Sequence, residues 1–128
     1  MSNSDKVKDL AHDLLGYMSE MRRYFHRHPE RGMQEVNTAK RIRKELDTMG
    51  IQWCAVGETG TLGFIEGSKD GKTVMLRADI DALEIDELTE APYMSTVHGL
   101  MHACGHDGHT AMLLGAAKIL TTLGKDYI

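Results

Sequence analysis

Between Gly99 and Thr110 the chain reads Gly-Leu-Met-His-Ala-Cys-Gly-His-Asp-Gly-His-Thr, which places three histidines, one cysteine and one aspartate within the eight residues from His102 to His109. So many polar groups in one short run do not suit a packed core, because each would need a partner once it left water. Imidazole and thiolate are ligands on which zinc, cobalt, nickel and manganese sites draw, while Gly99, Gly105 and Gly108 let the backbone turn tightly around something small. The stretch reads as half of a metal site. The rest of the chain is then constrained by what it must bring to that half.

Upstream, apolar residues recur at Val7, Leu10, Leu14, Tyr17 or Met18, Met21 and Phe25, a spacing that predicts one helix from about Ser4 to His28. Ser4 is the expected N-cap, and Pro29 ends the helix by disfavouring the helical conformation at His28. His26 and His28 then lie at a partly exposed helix end and turn, two positions apart and on different faces. A second helix is expected from Gln34 to Met49, with Val36, Ala39, Ile42, Leu46 and Met49 on one face and Gly50 at its C-terminus. The period then changes. Ile51 to Val56 and Thr61 to Glu66 read as strands around the turn Gly57–Gly60, and Gly67 to Lys72 reads as a hairpin loop before a third strand, Thr73 to Ala78. An irregular stretch from Asp79 to Gly108 leads to a helix from His109 to Leu123, apolar nearly all round and expected to be buried against the sheet. This order of elements predicts an α/β fold, an incomplete mixed β-sheet flanked by helices, in a single domain over residues 1–128.

Cys104 and His106 are separated only by Gly105, so a turning backbone can bring both onto one ion. A zinc finger is a poor match, because its structural site closes with four ligands and usually uses paired cysteines. Asp79 and Asp81 follow the third strand, where α/β sheets tend to present catalytic groups, and an aspartate there can ligate metal or accept the free ring N–H of a ligating histidine. The alternative is a solvated strand end. Asp107 or Gly108 caps the helix that follows, and His102 and His109 are near-site candidates whose rings can equally bond to nearby backbone.

The 128 residues carry a formal charge of −4, with Lys and Arg spread along helical segments, which argues against nucleic acid as a partner. Cys54 and Cys104 do not form a disulfide framework, and no apolar run approaches the roughly 20 residues of a membrane span. A soluble cytoplasmic protein is expected.

Taken in order, Phe25-His-Arg-His-Pro-Glu30, Gly60-Thr-Leu-Gly-Phe-Ile-Glu-Gly67, Leu76-Arg-Ala-Asp-Ile-Asp-Ala-Leu83 and Met101-His-Ala-Cys-Gly-His-Asp-Gly-His-Thr-Ala-Met-Leu-Leu-Gly-Ala-Ala117 resemble the amidohydrolase branch of the aminoacylase-like metallopeptidases. That branch includes hippurate hydrolases, auxin-conjugate hydrolases and N-acetyldiaminopimelate deacetylases. The resemblance runs from about residue 17 to residue 128. It implies a zinc-peptidase-like catalytic domain with two divalent metals, Zn, Mn, Co or Ni, that hydrolyses the amide bond of small N-acyl amino acids. It maps metal ligation onto Cys104, in a bridging position, and His106, with Asp81 orienting a metal-bound histidine. Asp79 stands where related branches carry a histidine ligand, and for His102 and His109 the resemblance implies proximity alone.

The proton shuttle of the resembled family is the first residue of a Glu-Glu pair, and this sequence contains no such pair. Further Glu and His ligands and an inserted dimerisation domain are likewise not matched. The expectation is therefore an N-terminal portion of the catalytic domain, inactive alone, weak in metal affinity and prone to self-association through an exposed sheet edge. Two other classes fit the same residues: a non-catalytic metal-binding or interaction module, and a hydrolase using Cys104 as nucleophile. The single glycine between Cys104 and His106 ties them too closely for the usual nucleophile and base geometry.

Overall fold

The computed structural model describes residues 1–128, the side chain of Asp126 excepted. Its first helix, α1 (Asn3–Asp13), is opened by Ser2 and not by Ser4. The Ser2 hydroxyl accepts from the Asp5 amide at 3.1 Å and the Asp5 carboxylate accepts from the Ser2 amide at 3.1 Å. Only Ser2 has an acidic residue three positions on to complete this reciprocal box; from Ser4 that position is Val7. The expected single helix is also divided, because Leu14 leaves helical geometry at φ −90° and ψ 2° before α2 (Leu15–Arg27) begins. The two halves answer to different surroundings: α1 buries no residue, whereas α2 buries Met21, Phe25 and His26. α2 stops just short of Pro29, as the proline requires.

The helix α3 (Val36–Thr48) has no side-chain cap of its own at Glu35. Glu30 caps it from the preceding turn, its carboxylate accepting from the Asn37 amide at 3.1 Å and from the Thr38 amide and hydroxyl at 2.5 and 2.7 Å. At the other end Gly50 adopts φ 72°, its amide reaching the Asp47 carbonyl at 3.0 Å while the Ile51 amide reaches the Leu46 carbonyl at 2.9 Å. This Schellman arrangement needs a left-handed residue, which glycine supplies without steric cost.

The hairpin follows as expected, β1 (Gln52–Val56) pairing antiparallel with β2 (Gly60–Phe64) in a register that runs from Gln52 opposite Phe64 to Val56 opposite Gly60. The third expected strand does not form. Among the described residues no backbone hydrogen bond joins residues 73–78 to another segment, and Val74, Met75 and Leu76 are exposed. A strand exists only through a neighbour that takes up its N–H and C=O groups, and a favourable sequence cannot supply one. The α/β class with an incomplete sheet therefore holds, and among the described residues parallel pairing is limited to one bridge between Arg31 and Ala82.

The last long helix, α4 (His106–Leu123), begins three residues before the expected His109. It packs on α2 and not on the sheet: Ala111 and Leu114 join Met21, Phe25, Leu46 and Ile51 in the core. Gly115 makes this possible, since a Cβ there would lie 2.5 Å from the Met18 sulfur. A short 3-10 turn, Lys125–Tyr127, closes the described chain. No helix among the described residues is long and apolar enough to cross a membrane.

The irregular stretch before α4 is tied down by hydrogen bonds to distant segments. Ala82 donates its amide to the Glu30 carbonyl at 2.8 Å, Leu83 and Met101 exchange amide bonds at 2.9 and 3.0 Å, and Thr96 donates to the Arg27 carbonyl at 2.9 Å. These bonds bring Asp81 and the His102–His106 run to one place.

Candidate metal centre

Gly105 sits at φ 82° immediately before α4, so the chain turns through a left-handed residue between Cys104 and His106. Cys104 is left in the loop with an exposed, free thiol, and His106 becomes the first residue of the helix. The pair expected to share one loop is thus divided between loop and helix. His109, three positions on, falls on the same helical face, its ring 5.9 Å from that of His106, and is exposed.

Asp81 meets His106. The His106 Nδ1–H donates to the Asp81 carboxylate at 2.9 Å and lies 3.0 Å from the Asp81 carbonyl oxygen. Committing Nδ1 to these acceptors fixes the tautomer and leaves Nε2 as the available lone pair, the arrangement expected of a histidine that ligates a metal. The Asp79 carboxylate instead pairs with Arg77 at 2.5 Å, and the Asp79 carbonyl accepts from the Thr110 hydroxyl at 3.3 Å. Asp79 therefore steadies α4 through its backbone.

His102 is buried, and neither of its ring nitrogens has a hydrogen-bond partner. Burial holds its pKa below the ordinary histidine value, with Asp107 opposing and the His26 and His106 rings adding to the depression. Such an orphaned imidazole is unusual for a folded interior, where buried polar atoms normally find partners.

Asp107 is not a simple helix cap. Its carboxylate is buried and accepts from His26 Nδ1 at 2.7 Å and from Arg22 Nε at 3.2 Å. On the far side of the ring, His26 Nε2 donates to Glu87 at 2.9 Å, and Glu87 also accepts from the Ser95 amide at 2.8 Å and from the Thr89 hydroxyl. Burial by itself pushes the Glu87 carboxyl up, but its bonds from Thr89, Ser95 and His26 outweigh that and hold it below the usual glutamate value. Tyr93 closes the network edge-on against His26 at 5.6 Å. The expectation of a partly exposed His26 is corrected: only 3% of it is exposed, while His28 is exposed as expected. His26 lies four residues after Arg22 and so on the same helix face, the one local sign that the two share a partner.

As a donor set, Cys104 and an oriented His106 fit part of a metal site. Among the described residues no group of three or more His, Cys, Asp or Glu side chains is placed to hold an ion.

Residues 75–128 match the family model for peptidase family M20/M25/M40. The chain is 48% identical over 109 residues to an IAA-amino acid hydrolase ILR1-like protein of Arabidopsis thaliana, a match that covers 84% of this chain and 25% of that protein. It is 49% identical over 102 residues to the N-acetylcysteine deacetylase of Bacillus subtilis, covering 78% of this chain and 27% of the relative. Among solved structures it is similar to the Bacillus subtilis YXEP protein, a dinuclear metal binding peptidase from the M20 family, at 43% identity and a TM-score of 0.82 over 91% of this chain and 32% of that one. The chain thus spans about a quarter to a third of the length of the relatives it matches.

Proposed function

We propose, on the premise that this chain is aminoacylase-like metallo-amidohydrolase sequence of the M20 kind in the matching fold, that it supplies Cys104 and His106 as ligands to a dinuclear metal centre for hydrolysis of N-acyl amino acids. The observation that carries this reading is the bond from His106 Nδ1 to Asp81, which leaves Nε2 without a protein partner two residues from an exposed cysteine.

Divalent cations at such a centre supply Lewis acidity toward the amide carbonyl and its attacking water. The chain's own contribution is orientation. Asp81 keeps the proton on His106 Nδ1, and Gly105 sets the turn that presents Cys104. The acyl amino acid substrate class is supported by the relatives, one a hydrolase of IAA-amino acids and one a deacetylase of N-acetylcysteine. A thiolate with an imidazole suits several of Zn, Mn, Co and Ni, and the two free thiols suit the cytoplasm as the place of action.

In this reading the described chain does not turn over by itself, because it holds neither a Glu-Glu pair nor a third ligand near the other two. The experiment is a titration of the purified chain with Co²⁺. A thiolate-to-cobalt charge-transfer band that disappears in Cys104→Ser and weakens in His106→Ala supports the ligand assignment; a band unaffected by both substitutions refutes it. Hydrolysis of N-acetyl amino acids by the chain alone at an ordinary enzymatic rate would refute the reading of inactivity.

A further inference from the structure

α4 begins where a metal-binding turn ends, and its start lacks the usual local support. Gly105 at the N-cap has no side chain to accept from the first-turn amides, and no side-chain cap bond is made. A helix start of this kind frays unless tertiary contacts hold it. Besides the bonds from His106 to Asp81 and from Thr110 to Asp79, a buried contact runs from Asp107, the residue next to His106, to His26 and Arg22 of α2. Both ring nitrogens of His26 face carboxylate oxygens, Nδ1 that of Asp107 and Nε2 that of Glu87, and the Arg22 guanidinium shares the Asp107 oxygen.

We propose that His26 and Asp107 are positioning residues for the metal-binding turn: their buried bond clamps the first turn of α4 to α2 and so sets where His106 and Cys104 stand. The inference rests on the ligand reading given above for its consequence, but the clamp is a property of the metal-free chain. The bond from His26 to Glu87 belongs to a different task, holding the segment with Thr89, Tyr93 and Ser95 against the same helix.

The two halves of the network separate by substitution. Asparagine places its amide N–H₂ near the position of histidine Nδ1, and glutamine near that of Nε2. His26→Asn therefore keeps the bond to Asp107 and drops the one to Glu87, while His26→Gln does the reverse. Both remove one buried bond and introduce one amide, so a merely structural role would affect metal binding equally in the two.

The expected result of a Co²⁺ titration is wild-type affinity in His26→Asn and a loss of about tenfold in His26→Gln, the range seen when an outer partner of a ligand is removed. Equal affinities in the two variants, or the reverse order, would overturn the proposal. If His26→Gln does not fold, Arg22→Gln takes its place, removing the half-exposed bond to Asp107, with a loss of about threefold expected and an unchanged affinity counting against the clamp. Amide hydrogen exchange of metal-free chain separates the two readings. The His109 amide, bonded to Gly105 at 3.0 Å, should exchange severalfold faster in His26→Gln than in His26→Asn, and equal rates would overturn the clamp even if wild-type chain shows no cobalt band. A missing band with unequal rates refutes only the ligand assignment.

Discussion

Truncating Asp107 to alanine should be among the most damaging single changes in the chain. The Asp107 side chain is 1% exposed and that of His26 4%, so their bond lies almost wholly out of water. Removing Asp107 leaves the buried Nδ1–H of His26 without its acceptor while Glu87 still faces Nε2, which costs about 3 kcal/mol, the low end for breaking a buried pair. The bond to Arg22 adds little, because that side chain is 42% exposed and such pairs contribute at most about 1 kcal/mol. A domain of this size is stable by about 5–15 kcal/mol, so Asp107→Ala removes about a fifth to three fifths of the total. In urea, with a slope of about 1–3 kcal/mol per molar, the midpoint followed by far-ultraviolet circular dichroism should fall by about 2 M. The companion variant is the double replacement His26→Phe with Asp107→Leu. It removes both charges and fills the space, and it should cost clearly less than the sum of the two single replacements. A loss below about 1 kcal/mol in Asp107→Ala, or additivity to within about 0.5 kcal/mol in the double variant, would refute the account of a tightly coupled buried pair.

Three further outcomes can be checked by the same unfolding measurements. Glu30→Ala should lower stability by about 1–2 kcal/mol, since it leaves the Asn37 and Thr38 amides at the start of α3 without their acceptor; an unchanged midpoint would contradict the capping role. Burial and the neighbouring Glu45 carboxylate push the Tyr17 phenol up from its ordinary value of 10.0, so the folded state keeps a proton that the unfolded chain releases. Stability from this group is present below that pH and lost as pH rises above it, and Tyr17→Phe should flatten the alkaline limb of the stability profile. Gly105→Ala meets no atom within 4 Å, so its cost is that of forcing alanine to φ 82°, about 1–2 kcal/mol, and cobalt affinity should fall with it; full affinity would show that the turn tolerates another conformation.

How far the fold was legible from sequence depended on the range of the interactions involved. The apolar faces of α2 and α3, the stop before Pro29, the left-handed Gly50 and the hairpin around residues 57–59 follow from neighbours within a few positions, and these are where expectation and structure agree. The boundaries moved where a cap competed: Asp5 selects Ser2 over Ser4, and Glu30 takes over from a side-chain cap at Glu35. Gly105 gives no capping signal, so the sequence places the start of α4 at His109, three residues later than the structure does.

By itself the amino-acid sequence determined the candidate ligands, the α/β class and the resemblance to metallo-amidohydrolases, all of which rest on residue chemistry and short spacings. Tertiary structure alone decided that the Asp79 carboxylate turns to Arg77, that residues 73–78 find no strand partner among the described residues, and that α4 lies on α2. It also decided that His26 is buried against Asp107, 81 positions away. The physical reason is that periodicity reports which face of an element is apolar, whereas the partner of a buried charge is chosen by whichever distant segment can neutralise it at the distance of a hydrogen bond.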